Sequence, residues 1–374
     1  MISVQGLQVK AGDFKLRDIS LTIEDSRYGV ILGPSGAGKS LLLEAIVGLC
    51  RPEHGRIHIG KNDVTGISPE SRNLAYVPQA MTLFPHLSVR ENLCFGANAR
   101  HIPSDEINQG LSQLARLLDI EHLLSRRNPL TLSHGEQQRV AIARALMIKP
   151  SAILLDEPFS ALDEQMRRQL QLQLKMINRE LKMTVLHVTH DREEAFMLGD
   201  TIGIIIDGSL MQVGDRDDIY YRPVSVAVAK FLINQNIFSG QVAHRDDRNK
   251  TLHLRGAGLN IQAVAYNGLK PGDPVHFGIR PEEIMVIRPG KKLHDPVQAN
   301  ILEGHIETIL KKGGSHIILI KVPEIFQLLE IDMPNCAFRE LDLTEGKQIQ
   351  VSLKRKSIWT IPEKHTTGVQ EFMT

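Results

Sequence analysis

The chain has 374 residues, 42% apolar and 23% charged, with a formal net charge of +1. That length allows two hydrophobic cores, and so even a charge balance excludes the basic footprint of a nucleic-acid binder. Cys50, Cys94 and Cys336 lie far apart without metal spacing, which fits a reducing cytosol, and no apolar run approaches the roughly 18 residues of a membrane span.

Residues 1–235 alternate short β-branched runs with amphipathic stretches of helical length. RYGVILG (27–33) predicts a buried strand and KSLLLEAIVGLC (39–50) a helix; SAILLDEP (151–158) and TVLHVTH (184–190) predict two more strands ending in polar residues. EQQRVAIARALMI and EQMRRQLQLQLKMINREL predict helices between them, the rhythm of an α/β fold with a parallel sheet. TIGIIIDGSLMQVG (201–214) differs and predicts an antiparallel hairpin turning at Asp207-Gly208. After residue 236 the chain becomes short strands with frequent Gly, Pro and Asn turns, the composition of small β-barrels. The expected boundary therefore lies at 235/236, with two small β units at 237–290 and 297–363. The start of the chain, MISVQGLQVKAGDFKL, lacks a basic-then-apolar signal pattern.

GPSGAGKS (33–40) fits G-x-x-x-x-G-K-[ST] between a predicted strand and a predicted helix, the context the motif requires. Gly33, Pro34, Ser35, Gly36, Ala37 and Gly38 would let backbone N–H groups converge on phosphate oxygens, helped by the positive end of the following helix. Lys39 would reach the β- and γ-phosphates of ATP and Ser40 would ligate Mg²⁺. The plainer alternative is a Gly-rich turn that happens to precede a lysine. In ILLDEP (153–158), Asp156 is the expected outer partner of Mg²⁺ and Glu157 the group that orients or deprotonates the attacking water. An isolated Asp-Glu after a strand would more often cap a helix; the phosphate loop tips the balance toward chemistry.

With those residues in place the first 235 residues resemble the nucleotide-binding subunit of an ABC transporter. The phosphate loop is followed in order by Gln79 in AYVPQ, by LSHGE, by Asp156-Glu157, by SALD (160–163) and by His190 in HVTHD. The resemblance implies an α/β P-loop NTPase fold with a helical and an antiparallel β subdomain. It implies a head-to-tail homodimer in which the loop of one copy and Ser133, His134, Gly135 and Glu136 of the other enclose each ATP. Gln79 would then sense Mg²⁺ and the attacking water, Asp163 would communicate across the dimer, and His190 would contact the γ-phosphate. Taken alone, His190 would be an ordinary strand-end histidine.

Two positions depart from the family pattern. His134 stands where the family has a glycine, at a cost if that position needs positive φ; with Glu157 and His190 intact, the signature is expected to work. Near the first strand, where the family has a stacking aromatic, this chain has Ala11, and the nearest aromatic is Phe14, expected to stack on adenine or else to pack in the sheet.

LFPHLSVRENL (83–93) opens a helix with Ser88 as cap. By itself it is a packed segment, but it resembles the region of import ATPases that receives a helix of the integral-membrane permease, placing Phe84, Pro85 and Leu87 at that contact. The subunit would then sit on the cytoplasmic face of the membrane and serve an extracytoplasmic solute-binding protein indirectly. GIRPEEIMVIRP (278–289), NILEGHIETILKKGG (300–314) and LDLTEGKQIQVSLKRKSIWTI (341–361) resemble an OB-like TOBE/Mop regulatory domain, which implies an oxyanion bound there, or else a domain that only rigidifies the dimer. In SLKRKS (352–357), Arg355 and Lys356 suit an anion or a solvated strand edge. Taken together, the motifs read much like molybdate/tungstate importer ATPases. Ferric iron, sulfate, polyamine and sugar importers, an exporter, a soluble ABC ATPase and an oxyanion store are the alternatives.

Overall fold

The computed structural model describes residues 1–80, 83–232, 235–265, 268–288 and 300–363. Met81 and Thr82, which follow Gln79 closely, and residues 289–299, which span the gap between the two expected β units, lie outside the described residues. Contacts separate two compact units, Met1–Arg216 and Asp217–Thr374.

The first unit runs β1 (Ile2–Ala11), β2 (Phe14–Ile23), β3 (Tyr28–Leu32), α1 (Lys39–Val47), β4 (His54–Ile59), β5 (Asn62–Asp63) and β6 (Leu74–Val77). It continues α2 (Val89–Ala99), α3 (Ser104–Leu117), α4 (His134–Leu146), β7 (Ala152–Asp156), α5 (Glu164–Glu180), β8 (Thr184–Thr189), α6 (Arg192–Leu198), β9 (Thr201–Ile206) and β10 (Ser209–Asp215). All ten strands share one sheet in the order β5-β4-β1-β2-β10-β9-β3-β8-β7-β6. β3, β7 and β8 are buried along their whole length and pair in parallel, as strands covered on both faces must be hydrophobic throughout. β1 pairs antiparallel with β2 and β4. The β9–β10 hairpin turns at Asp207-Gly208 as expected, both residues at positive φ.

The ordering β3-β8-β7-β6 matters for function. It makes neighbours of four strand ends that are scattered along the sequence. α1 leaves the first of them and buries Leu42, Leu43, Ala45 and Ile46. Its last carbonyls are held by Arg72, which is only 4% exposed. Arg72 Nη1 donates to the carbonyls of Ala45 and Ile46 at 2.9 and 2.7 Å, Nε to Ile67 at 2.8 Å, and Nη2 to Thr65 at 3.1 Å. Truncation would strip this donor from the carbonyls of Ile46, Ile67 and Thr65 and leave Ala45 only the Gly48 N–H at 3.2 Å, so Arg72→Ala is expected to lower the unfolding free energy by about 3 kcal/mol. Denaturant titration checks this; a loss under about 1 kcal/mol would mean that water replaces the guanidinium.

α2, α3 and α4 form the helical part. α2 and α4 open on capping boxes, Ser88 with Glu91 and Ser133 with Glu136, which satisfy orphan N–H groups from both directions.

The second unit contains α7 (Arg216–Tyr221), α8 (Val226–Leu232), β11 (Ile237–Asp246), β12 (Thr251–Gly256), β13 (Leu259–Val264), β14 (Pro274–Gly278) and β15 (Ile284–Val286). β16 (Ile301–Lys312), β17 (Ser315–Lys321), β18 (Leu329–Pro334), α9 (Asn335–Arg339), β19 (Gln348–Leu353) and β20 (Trp359–Pro362) complete it. The break at Arg216/Asp217 precedes the change of sequence texture at 236. Arg280 explains why α7 goes with the β strands: its guanidinium stacks 3.3 Å from the Tyr220 ring centroid and donates to the Tyr220 carbonyl at 3.0 Å.

Two five-stranded sheets follow, β13-β12-β11-β14-β20 and β15-β19-β16-β17-β18. They exchange end strands. β20 leaves the later stretch to pair with β14, and β15 leaves the earlier one to pair with β19. One core running from Phe238 and Phe277 to Ile318 and Val351 serves both sheets. SLKRKS is not a continuous strand: β19 ends at Leu353 and Arg355–Ser357 is a 3₁₀ turn. The solvated strand edge expected for Arg355 and Lys356 is thereby corrected. Lys354 lies 3.6 Å from Glu283, and Arg355 donates to the Thr251 hydroxyl at 3.4 Å. No described helix is long and apolar enough to cross a bilayer.

Candidate functional site

The phosphate loop joins β3 to α1. Gly38 is the N-cap of α1 at φ 95°, in the left-handed region, and a Cβ at Gly33 would lie 2.2 Å from the Ile205 carbonyl oxygen; both positions demand glycine. The loop curls around Lys39, whose Nζ donates to the carbonyls of Gly33 and Pro34 at 3.0 Å each. Burial holds this ammonium below the usual lysine range, with Glu157 pulling it back up.

Ser40 Oγ donates to Asp156 Oδ1 at 3.0 Å, and the Tyr76 hydroxyl donates to Oδ2 at 3.3 Å. Burial pushes the Asp156 carboxyl up, while the hydrogen bonds from Ser40 and Tyr76 oppose it. Sequence reasoning missed Tyr76. It lies inside the quoted AYVPQ, but nothing in a strand pattern says how far a hydroxyl reaches.

Glu157 is the hub. Its backbone sits at φ 43° and its N–H donates to the Val188 carbonyl at 3.1 Å, fixing the turn after β7. Its carboxylate lies 3.1 Å from His190 Nδ1, 3.6 Å from Lys39 Nζ and 3.5 Å from Gln79 Nε2. Gln79 follows β6, Glu157 follows β7, His190 follows β8 and Lys39 follows β3. Residues of three sequence motifs thus converge on the carboxylate of a fourth at the carboxyl ends of adjacent parallel strands, where α/β sheets bind ligands.

The structure does not bring the signature to this cluster: no described hydrogen bond or ion pair joins Ser133, His134, Gly135 or Glu136 to the phosphate loop. Ser133 caps α4, and Glu136 N–H donates to its hydroxyl at 3.3 Å. His134 is the first residue of α4 and is absent from the positive-φ positions, so the strain anticipated for it does not arise. Gly135 also lacks positive φ; a Cβ there would lie 2.8 Å from Met166 Sδ, so its smallness serves packing against α5. Asp163 caps α5, accepting from Met166 N–H at 2.9 Å. His134→Gly is therefore expected to change ATP turnover only a fewfold, and a large gain in the steady-state rate would mean that the native signature is impaired. Phe14 packs on the β1–β2 core with its ring edge against Gly38.

Beneath His190 lies a network that no motif announces. His187 and Glu194 are 0% and 6% exposed, with Nε2 and Oε2 3.8 Å apart. His187 Nδ1 lies 3.3 Å from the Tyr28 hydroxyl, and its ring meets Phe159 edge-on. Burial pushes His187 down to about 3 and the Glu194 carboxyl up to about 7. Glu194, raised in the fold, contributes stability that is lost as pH rises from 4.5 to about 7. His187, lowered, contributes stability that is lost as pH falls from 6.5 to about 3. The two slopes oppose each other between 4.5 and 6.5. Glu194→Gln removes one of them, so its melting temperature relative to the wild type is expected to climb between pH 4.5 and 7. A constant difference would mean that Glu194 is ionised in the fold throughout.

A cleft of about 270 Å³ lies beside β6, lined by Tyr76, Phe84, Phe95, Arg144 and Ile148 among others. The Arg144 guanidinium sits 4.8 Å from the Phe84 ring centroid, and Phe95 is 4.6 Å from that ring.

A Gly-rich loop holding a buried lysine, a hydroxyl–carboxylate pair and a second carboxylate at the ends of parallel strands define a P-loop nucleoside-triphosphatase. Residues 16–160 match the ABC transporter family model. The chain is 38% identical to the molybdate/tungstate import ATP-binding protein WtpC of Pyrococcus horikoshii, over 97% of this chain and 100% of that one. It is 35% identical to the spermidine/putrescine import ATP-binding protein PotA of Rubrobacter xylanophilus, over 86% and 84% respectively. The dimeric ATP-binding cassette MJ0796, solved with ADP and phosphate, superimposes with a TM-score of 0.52 at 29% identity, covering 58% of this chain and 99% of that one. The chain belongs to the ATP-binding proteins of ABC transporters, and it is an ATPase.

Proposed function

We propose that this ATPase is the energy-coupling subunit of an importer for molybdate or tungstate, bound to the cytoplasmic face of the membrane. The observation that carries the site assignment is the convergence of Lys39, Gln79 and His190 on Glu157. Residues 33–40 wrap the phosphates of ATP, and Lys39 exchanges the carbonyls of Gly33 and Pro34 for phosphate oxygens. Ser40 and Asp156 would hold Mg²⁺: their oxygens lie 3.0 Å apart, are hard donors of the kind this cation takes, and include a carboxyl that burial leaves in need of a cation. When bound, the ion would neutralise charge on the β- and γ-phosphates. Gln79 faces the same space and orients the water, Glu157 takes its proton, and His190 contacts the γ-phosphate.

Ser133, His134, Gly135 and Glu136 of a second copy close the ATP from the other side in a head-to-tail homodimer, with Asp163 at the junction. The absence of any described hydrogen bond or ion pair between signature and loop within one chain, together with the dimeric MJ0796 relative, supports that arrangement. Phe14, lying against Gly38, stacks on adenine. The aromatic cleft at Phe84, with Pro85 and Leu87 beside it in sequence, receives a helix of the permease, whose solute arrives from an extracytoplasmic binding protein. The β region from 236 onward is regulatory and takes the oxyanion.

Similarity to WtpC that runs through both units supports the cargo; the polyamine relatives give the competing reading. Deleting the gene, starving the cells of trace elements and measuring Mo, W, Fe and S uptake by mass spectrometry tests it, with wild-type and Glu157→Gln chains as complements. Selective loss of Mo and W, rescued only by the wild type, is expected. Normal Mo and W uptake would sink the cargo assignment and leave the ATPase standing.

A further inference from the structure

His190 is an exposed member of the Glu157 cluster, its side chain 53% exposed against 15% for Glu157. A side chain so open to water needs its backbone fixed if the imidazole is to stay on the carboxylate. The hydrogen bonds on either side of it form a closed ring. Thr189 Oγ1 accepts from Asp191 N–H at 3.0 Å, Asp191 Oδ1 accepts from Glu194 N–H at 3.1 Å, and Thr189 O–H donates to Glu194 Oε2 at 2.7 Å. The ring therefore clamps the residue before His190 and the residue after it.

An ordinary capping box would not need this. There the third helical residue reaches back to the N-cap N–H, as exposed Glu91 does in α2, and a buried carboxylate is an expensive way to do it. Here Glu194 is buried, only 6% exposed, and the Thr189 hydroxyl is interposed between it and the N–H. The same carboxylate borders a cavity of about 80 Å³ shared with Glu157, Arg167, Thr189, His190 and Asp191. Arg167 Nε and His187 Nε2, two buried nitrogens nearby, have no hydrogen-bond partner in the protein. The ring is thus closed by hydrogen bonds, buried at Glu194, and shares a cavity with Glu157.

We propose that Glu194 is a positioning residue for ATP hydrolysis, acting through the Thr189 hydroxyl to hold the Thr189–Asp191 backbone and so keep His190 on Glu157. This rests on the roles given above to Glu157 and His190. Misplacing a reacting group by an ångström costs up to about a hundredfold in rate, and a ring that loses one member relaxes only partly, so the expected loss is on the order of tenfold.

The test uses the full chain and steady-state MgATP turnover. Glu194→Ala and Thr189→Val are expected to lower kcat about tenfold with KM for ATP within about twofold. Glu194→Gln and Thr189→Ser, which keep the acceptor and the donor, are expected to stay within about threefold of wild type. Amide exchange of the peptide spanning residues 188–191, read without turnover, is expected to quicken in the first two variants and not in the second two. Wild-type kcat in both Glu194→Ala and Thr189→Val, or a Gln variant as slow as the Ala variant, overturns the proposal. So does tenfold slowing with unchanged exchange. Should His190→Ala itself turn over at the wild-type rate, it is the underlying reading of His190 that fails.

Discussion

Glu157→Gln is expected to bind ATP as tightly as the wild type and to lose turnover by about 10²–10⁴-fold, the range that a positioned general base contributes. The substitution keeps the size of the side chain and one acceptor oxygen, so the contacts to Gln79 and the loop survive in shape. What it removes is the charge that faces Lys39 at 3.6 Å and His190 at 3.1 Å, and with it the capacity to take a proton from water. The loop, Ser40 and Asp156 are untouched, so nucleotide binding has no reason to weaken. Phosphate release and equilibrium nucleotide binding, measured on one preparation, check both halves. Retained turnover would remove the base assignment. Lost binding would show that Glu157 shapes the loop.

Lys39→Ala is expected to do the reverse. ATP affinity should fall by on the order of a hundredfold, about 2.7 kcal/mol, while the nucleotide-free fold remains near wild-type stability. The ammonium is 5% exposed and its partners are two loop carbonyls. Its burial opposes the charged form while Glu157 and the two carbonyls favour it, so in the empty state the two effects largely offset. A phosphate changes that balance, because charge-assisted bonds replace neutral ones. The stabilisation that saturating ATP gives the wild type should therefore largely vanish in the variant. An unchanged ligand-induced shift in melting temperature would mean that the backbone N–H groups of residues 33–38 hold the phosphates unaided.

Most of the cluster around Glu157 was legible in the sequence as a set of motifs, because phosphate chemistry constrains both residue type and spacing. A loop that must approach phosphate demands Gly33 and Gly38 with Lys39 beside them, and a strand that must present carboxylates ends in Asp156-Glu157. The alternation of buried strands with amphipathic helices was equally visible. What could not be read were contacts decided by burial. HDREEA gives three acidic residues at a helix start, and nothing local says that Glu194 turns inward while its neighbour Glu193 stays exposed. The hydroxyl of Tyr76 is another such contact. The strain anticipated at His134 was a fair inference from a missing glycine, but the Ser133 capping box gives that position helical geometry. The pairing of β15 and β20 was illegible for a different reason: three- and four-residue strands carry almost no periodicity, and their partners lie far away in the chain.

That exchange of end strands bears on synthesis as well as on shape. β11 to β14 cannot acquire their fifth strand until β20 has left the ribosome, and β16 to β19 must find β15, made before them. Closing such long loops costs chain entropy before any pairing repays it. The nucleotide-binding unit has no such dependence and can complete its sheet once β10 is made, since its strands come only from the first 216 residues. During translation the ATPase unit is thus ready before the β unit, and a chain cut between β19 and β20 leaves β14 as an open, unpaired sheet edge, the kind of surface on which nascent proteins aggregate.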